Sequence, residues 1–144
     1  MKIDLKWFKN QLPEDAYYVR QKVFIEEQEI MPEEELDEQD YHCEHLVVYG
    51  DNKPVATGRL IIGDRGEILA GRVACLKECR GKGIGGILLK ELLRRAEEKG
   101  FDEIYLHSQL SVRGFYENYG FKGYGDIYME ANIPHISMKK SFKN

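Results

Sequence analysis

The chain has no apolar run approaching 18 residues among its 144, which excludes a membrane-spanning helix of ordinary length. Positive charge is scarce as well: 21 Lys and Arg face 25 Asp and Glu, for a net charge of −4 and a pI near 5.6. Neutralising a phosphate backbone needs clustered Lys and Arg, so nucleic acid is not expected as the main partner. Cysteine is rare, and Cys43, Cys75 and Cys79 form no C-x-x-C pair, which fits free thiols in a reducing compartment. His42, Cys43 and His45 crowd together with no matching pair of ligands downstream, so no metal site is expected. The stretch Met1-Lys2-Ile3-Asp4-Leu5-Lys6-Trp7 lacks the uninterrupted apolar core of a signal peptide, and a cytoplasmic protein is expected. There is no internal repeat and no low-complexity linker. A length of 144 leaves room for one α/β domain with a real core and too little for two, so residues 1–144 read as a single domain.

What is present alternates between strand and helix signals. Ile3 to Phe8 alternates apolar with polar residues, and Pro13 to Ile25 reads as a helix with Pro13 in its first turn. Strand runs follow at His45 to Tyr49, Pro54 to Ile62 and Glu67 to Leu76, the first two joined through a hairpin signal at Gly50-Asp51-Asn52. A second helix places Ile84, Ile87, Leu88, Leu92 and Ala96 on one stripe and is stopped by Gly100. Then come a strand over Glu103 to Ser108, a short helix near Val112 to Asn118, and strands around Phe121 to Met129 and Ile136 to Lys140. Between Lys22 and Lys53 there is no Lys or Arg, and the acidic stretch Glu26 to Asp40 reads as a loop or frayed helix. It is either a solvated face or a negative lip that draws in a cationic amine. If Arg59 and Arg72 face a cleft, a carboxylate-bearing substrate suits better, because the guanidinium fork matches that group.

The most telling run is Arg80-Gly81-Lys82-Gly83-Ile84-Gly85-Gly86, set between a strand and the second helix. The first turn of a helix carries unpaired N–H groups and the positive end of its dipole, which attract an anion. Glycines leave those donors unshielded, while Arg80 and Lys82 add full charge, so a diphosphate is the expected ligand. A Walker A loop is excluded, because no Gly-Lys-Ser/Thr ends the run. Gly81, Gly83 and Gly86 spell G-x-G-x-x-G, but Lys77-Glu78-Cys79-Arg80 separate them from the strand, and the next strand ends in His107-Ser108 with no acidic reader of a ribose hydroxyl.

What remains is Arg/Gln-x-x-Gly-x-Gly/Ala, filled by Arg80, Gly83 and Gly85, and it resembles the acetyl-CoA signature of the GNAT N-acetyltransferases. Downstream, Phe115-Tyr116-Glu117-Asn118-Tyr119-Gly120-Phe121 resembles the second motif of that family. Gln109 and Val112 stand where many relatives carry Asn and Ala. Arg20-x-x-Val23-Phe24-x-x-Glu27-Gln28, with Ile133-Pro134-His135, is similar to the bacterial ElaA-type members. The resemblance implies an acyl-CoA N-acyltransferase fold, a mixed α/β sheet whose central parallel strands splay apart around the carrier. It implies acetyl-CoA as co-substrate, held by the backbone of Val73, Ala74 and Cys75 and by Arg80, Gly81, Lys82, Gly83, Ile84, Gly85 and Gly86. It gives Tyr116 the role of proton or hydrogen-bond donor to the departing thiolate; composition alone makes it a core aromatic.

Attack on the thioester needs a neutral amine, whereas an alkylammonium has a pKa of about 10.4. Many relatives use a glutamate on the strand before the glycine loop. Here that strand carries Arg72 and only Glu67 at its far end, so Glu27, Glu29 and His107 are the candidates to accept the proton. The expected reaction is acetyl transfer to a primary amine of a small molecule or peptide by direct attack in a ternary complex, without metal or covalent enzyme intermediate. Two other readings stay open: a CoA-binding sensor without turnover, and a nicotinamide-dependent oxidoreductase. The acceptor and the oligomeric state, a homodimer included, are left open.

Overall fold

The structure, a computed structural model, describes residues 1–143. Seven strands form one mixed sheet: β1 (Ile3–Lys9), β2 (Glu44–Gly50), β3 (Lys53–Ile62), β4 (Ile68–Cys75), β5 (Glu103–Gln109), β6 (Lys122–Glu130) and β7 (Ile133–Ser141), in the order β1-β2-β3-β4-β5-β7-β6. Every neighbouring pair is antiparallel except β4 and β5. Left-handed backbone at Asp51 and Asn52, and again at Ala131 and Asn132, turns the β2–β3 and β6–β7 hairpins.

Helices cover both faces. Helix α1 (Glu14–Arg20) starts at Pro13, which caps it at φ −69°, and runs on without a break into a wider π-type segment, Gln21–Glu27. The widening shows in the bond from Gln28 N–H to the carbonyl of Val23, five residues back. Helix α3 (Ile84–Glu98), which follows a short α2 (Pro32–Glu35), buries Ile84, Leu88, Leu89, Leu92 and Ala96 against the sheet. At its end Gly100 sits at φ +94° while Phe101 N–H closes on the Ala96 carbonyl, the glycine stop expected from sequence. Leu46, Val47 and Val48 of β2 are all fully buried although successive side chains point to opposite faces, because α1 and α3 sandwich the strand. Gly58 of β3 lies under α3: a Cβ there would come within 2.9 Å of Leu92 Cδ1. Its neighbour Arg59 points the other way, toward α1.

The bulge in β4 positions the site. Thr57 pairs with Ala74 and Arg59 with Gly71, so Arg72 and Val73 together oppose Gly58, and Arg72 takes a left-handed φ of +49°. A bulge bends its strand. Accordingly β4 and β5 pair only at Leu69–Tyr105 and Ala70–Leu106, and beyond them the two strands diverge. The edge of β4 from Gly71 to Cys75 that faces β5 therefore has no strand partner.

Candidate active site

The gap opens at the carboxyl ends of the only parallel pair in the sheet, where α/β folds bind their ligands. A short turn, Lys77–Cys79, then leads from β4 to the glycine run. Gly81 and Gly83 hold φ of +78° and +80°, a conformation that side chains resist, and a Cβ on either would point into open space. Gly83 caps α3, and the first helical N–H to reach back is that of Ile87, which bonds the Gly83 carbonyl at 3.2 Å. The N–H groups of Ile84, Gly85 and Gly86 are thus left for a ligand. A cleft of ≈ 360 Å³ lies at this point, with Phe115 and Tyr119 of the following helical segment forming its apolar wall. A Cβ on Gly86 would strike the Tyr119 hydroxyl, and one on Gly85 would stand 3.4 Å from the Phe115 ring. Bare amides, a helix tip and two cations make a cradle that fits a diphosphate.

Of the expected ligand residues, Cys75, Arg80, Gly81, Gly83, Ile84, Gly85 and Gly86 line this cleft together. Lys82 is exposed beside it, and Val73 and Ala74 lie on the unpaired stretch of β4. Arg80 is held from two sides: its Nε donates to the Cys75 carbonyl at 3.0 Å, and its terminal nitrogens make a two-pronged pair with the Glu27 carboxylate at 2.7 Å each. That pairing holds the Glu27 carboxyl below its ordinary pKa, which makes it a poorer proton acceptor while the pair stands. Burial raises the Cys75 thiol, the opposite of what a nucleophile needs.

Tyr116 sits on α4 (Arg113–Glu117) and is buried, edge to face with Phe115 at 5.1 Å and with Phe121 at 5.9 Å between centroids. Burial pushes its phenol well above the ordinary value, so it is protonated at neutral pH. The aromatics that line the cleft itself are its neighbours Phe115 and Tyr119, to which the sequence reading gave no role at the site. Their helical spacing of four was the available signal, since it puts them on one face. His107 is exposed on the face of β5 opposite Leu106, with Nδ1 2.8 Å from the Tyr128 hydroxyl and 3.4 Å from Ser137 Oγ. Glu29, the third candidate, is exposed at a left-handed φ of +59°. His135 is buried, bonding through Nδ1 to the Ile133 carbonyl and stacking on Tyr128.

The acidic segment divides: Glu26, Glu27, Glu29, Glu33, Glu34 and Glu38 are exposed, as on a solvated face, and its other carboxylates are not. It is neither a solvated face nor an open lip at its key positions, because Glu35 and Asp40 are buried with Arg20 and Arg59. Arg20 reaches Glu35 Oε1 at 2.5 Å and Asp40 Oδ1 at 2.7 Å; Arg59 reaches Asp37 and Asp40, each at 2.7 Å. Burial pushes the Asp40 carboxyl up, but the hydrogen bonds and charges of the arginines prevail and bring it down to about 2. Arg72 donates to the Glu35 carbonyl at 3.0 Å and to Asp37 at 3.4 Å. Neither Arg59 nor Arg72 therefore offers a free fork to a substrate carboxylate. Three carboxylates and three guanidinium groups neutralise one another and strap the segment to the sheet.

The family model described as Acetyltransferase (GNAT) domain matches residues 12–142. The chain belongs to the GNAT acetyltransferase family. It is 39% identical over 127 residues to the uncharacterized N-acetyltransferase YjcF of Bacillus subtilis, covering 88% of this chain and 90% of that protein. Among solved structures it is similar to an acyl-CoA N-acyltransferase from Pseudomonas aeruginosa, with a TM-score of 0.86 and 29% identity over 97% of this chain and all of that one (100%). Escherichia coli ElaA gives a TM-score of 0.87 at 25% identity, covering 97% of this chain and 100% of that one. The GNAT family transfers acetyl groups from acetyl-CoA. The helices of this GNAT domain include none long and apolar enough to cross a membrane among the described residues.

Proposed function

We propose that the whole chain acts as one cytoplasmic N-acetyltransferase domain that moves the acetyl group of acetyl-CoA to a primary amine of a small molecule or peptide, by direct attack in a ternary complex. The observation that carries this reading is the strand-shaped gap beside Gly71 to Cys75, which leads directly to the open amides of Ile84, Gly85 and Gly86. An extended pantetheine arm fits the first and a diphosphate the second. Main-chain groups of Val73, Ala74 and Cys75 are fixed before the reaction, so an N–H among them that faces the gap lowers the energy of a developing oxyanion without reorganising.

In the reaction the amine nitrogen forms a bond to the thioester carbon and the carbon–sulfur bond breaks. The thiolate takes a proton or hydrogen bond from Tyr116, and the amine loses its proton to a base. His107 supports that last role in the tautomer whose Nδ1–H donates to the Tyr128 hydroxyl, because Nε2 then carries the lone pair that accepts the proton. Glu27 supports it once it is separated from Arg80. A thiol-release assay with acetyl-CoA against a broad panel of amines tests the proposal. Release with at least one amine is expected; carrier binding with no release across the panel would assign the chain to sensing instead.

A further inference from the structure

Glu27 and Gln28 are consecutive residues at the end of the π-type segment, and they reach opposite walls of the gap. Glu27 pairs with Arg80 beyond the end of β4, while Gln28 Oε1 accepts from Gln109 Nε2 at 2.8 Å at the last position of β5. The widened helical turn is what brings both side chains over the opening, since it shifts the last residues out of α-helical phase. Neither contact belongs to the core: Glu27 and Arg80 are exposed, and the partners are 53 residues apart in sequence.

The shape of the Glu27–Arg80 contact is informative. Two carboxylate oxygens accept from two guanidinium nitrogens at 2.7 Å each, the same fork that a phosphate takes from arginine. Arg80 immediately precedes the glycine cradle, and its Nε donates to the Cys75 carbonyl at 3.0 Å, a bond that does not use the terminal nitrogens. Lys77 adds positive charge to the same spot.

We propose that Glu27 is an internal stand-in for the carrier's diphosphate: it occupies Arg80 in the free protein, and the diphosphate must displace it to dock. This inference rests on the acetyl-CoA reading of the cleft. Displacement leaves the Glu27 carboxylate without its counter-ion, the condition under which it serves as the base of the proposed reaction. The carrier thereby binds first and readies the base for the second substrate.

The test is calorimetric titration of CoA and of pantetheine, which lacks the diphosphate, into the wild-type protein, E27Q and E27A. Removing the competitor is expected to tighten CoA binding about two- to fivefold, the range for an exposed ion pair, with pantetheine affinity unchanged. Weaker or unaltered CoA binding in both variants overturns the proposal, as does equal tightening for pantetheine. Should wild-type protein ignore millimolar CoA, the carrier reading itself fails, a different result from intact binding without tightening. Acetyl-transfer rates of the same variants complete the picture: tighter carrier binding with slower turnover supports both displacement and the base, and tighter binding with unchanged turnover supports displacement and leaves the proton to His107.

Discussion

Replacing Arg20 with Met removes the centre of the charge cluster while keeping most of the side-chain volume. The substitution deletes five hydrogen bonds, three to Glu35 and two to Asp40. Asp40 keeps Arg59 at 2.7 Å, but the Glu35 carboxylate is left, 2% exposed, with only Arg72 at 4.0 Å. A buried carboxylate so stripped costs about 3–5 kcal/mol, because its desolvation is no longer offset. For a chain of this size that corresponds to a fall in melting temperature of roughly 6–20 °C. Urea titration at pH 7, with and without the second change Glu35→Gln, is the assay. The double variant is expected to regain much of the loss, since the orphaned charge is gone. A loss under about 1 kcal/mol in the single variant, or no recovery in the double, would refute the view that these charges depend on one another.

Tyr116→Phe is expected to lower kcat on the order of a hundredfold with CoA affinity nearly unchanged, as for loss of a proton donor; steady-state kinetics beside calorimetry separates the two. Gly86→Ala forces the Tyr119 ring out of its place on the cleft wall, so CoA binding should weaken severalfold while the urea midpoint moves little. Asp40 has a folded pKa of about 2 against an unfolded value of about 3.9, so it stabilises the fold fully above pH 4 or so. That contribution, about 2–3 kcal/mol, is lost as pH falls toward 2, and acid titration of the Asp40→Asn variant should show a flatter stability profile than wild type over that interval.

Periodicity made α3 and most strands legible, since their apolar spacing is local and α3 stops at a glycine with positive φ. The glycine cradle was legible for the same reason: helix tip, glycines and cations are contiguous in the chain. The family resemblance carried the rest of the reading of the site. The acidic segment was not legible, because a charged residue looks the same in sequence whether it meets water or a guanidinium. Glu35 and Asp40 find Arg20 at a separation of 15 and 20 residues and Arg59 comes from another strand, so only the fold brings them together. Glu27 and Arg80 were each singled out from sequence, but for different duties; nothing local signals that they hold each other. The insertion of β7 between β5 and β6 is likewise a matter of topology, invisible to residue spacing.

The ladder joining β4 to β5 has two rungs, and on it hang four strands to one side and three to the other. Away from those rungs the two plates are joined through the shared core, α3 and the Glu27–Gln28 bridge rather than through backbone pairing. In the proposed reaction, a carrier lying along the vacant strand edge would act as a splint, making the sheet continuous for as long as the substrate stays. On that proposal the protein stiffens while it holds the group it is about to give away, and departure of the spent thiol restores its freedom to articulate.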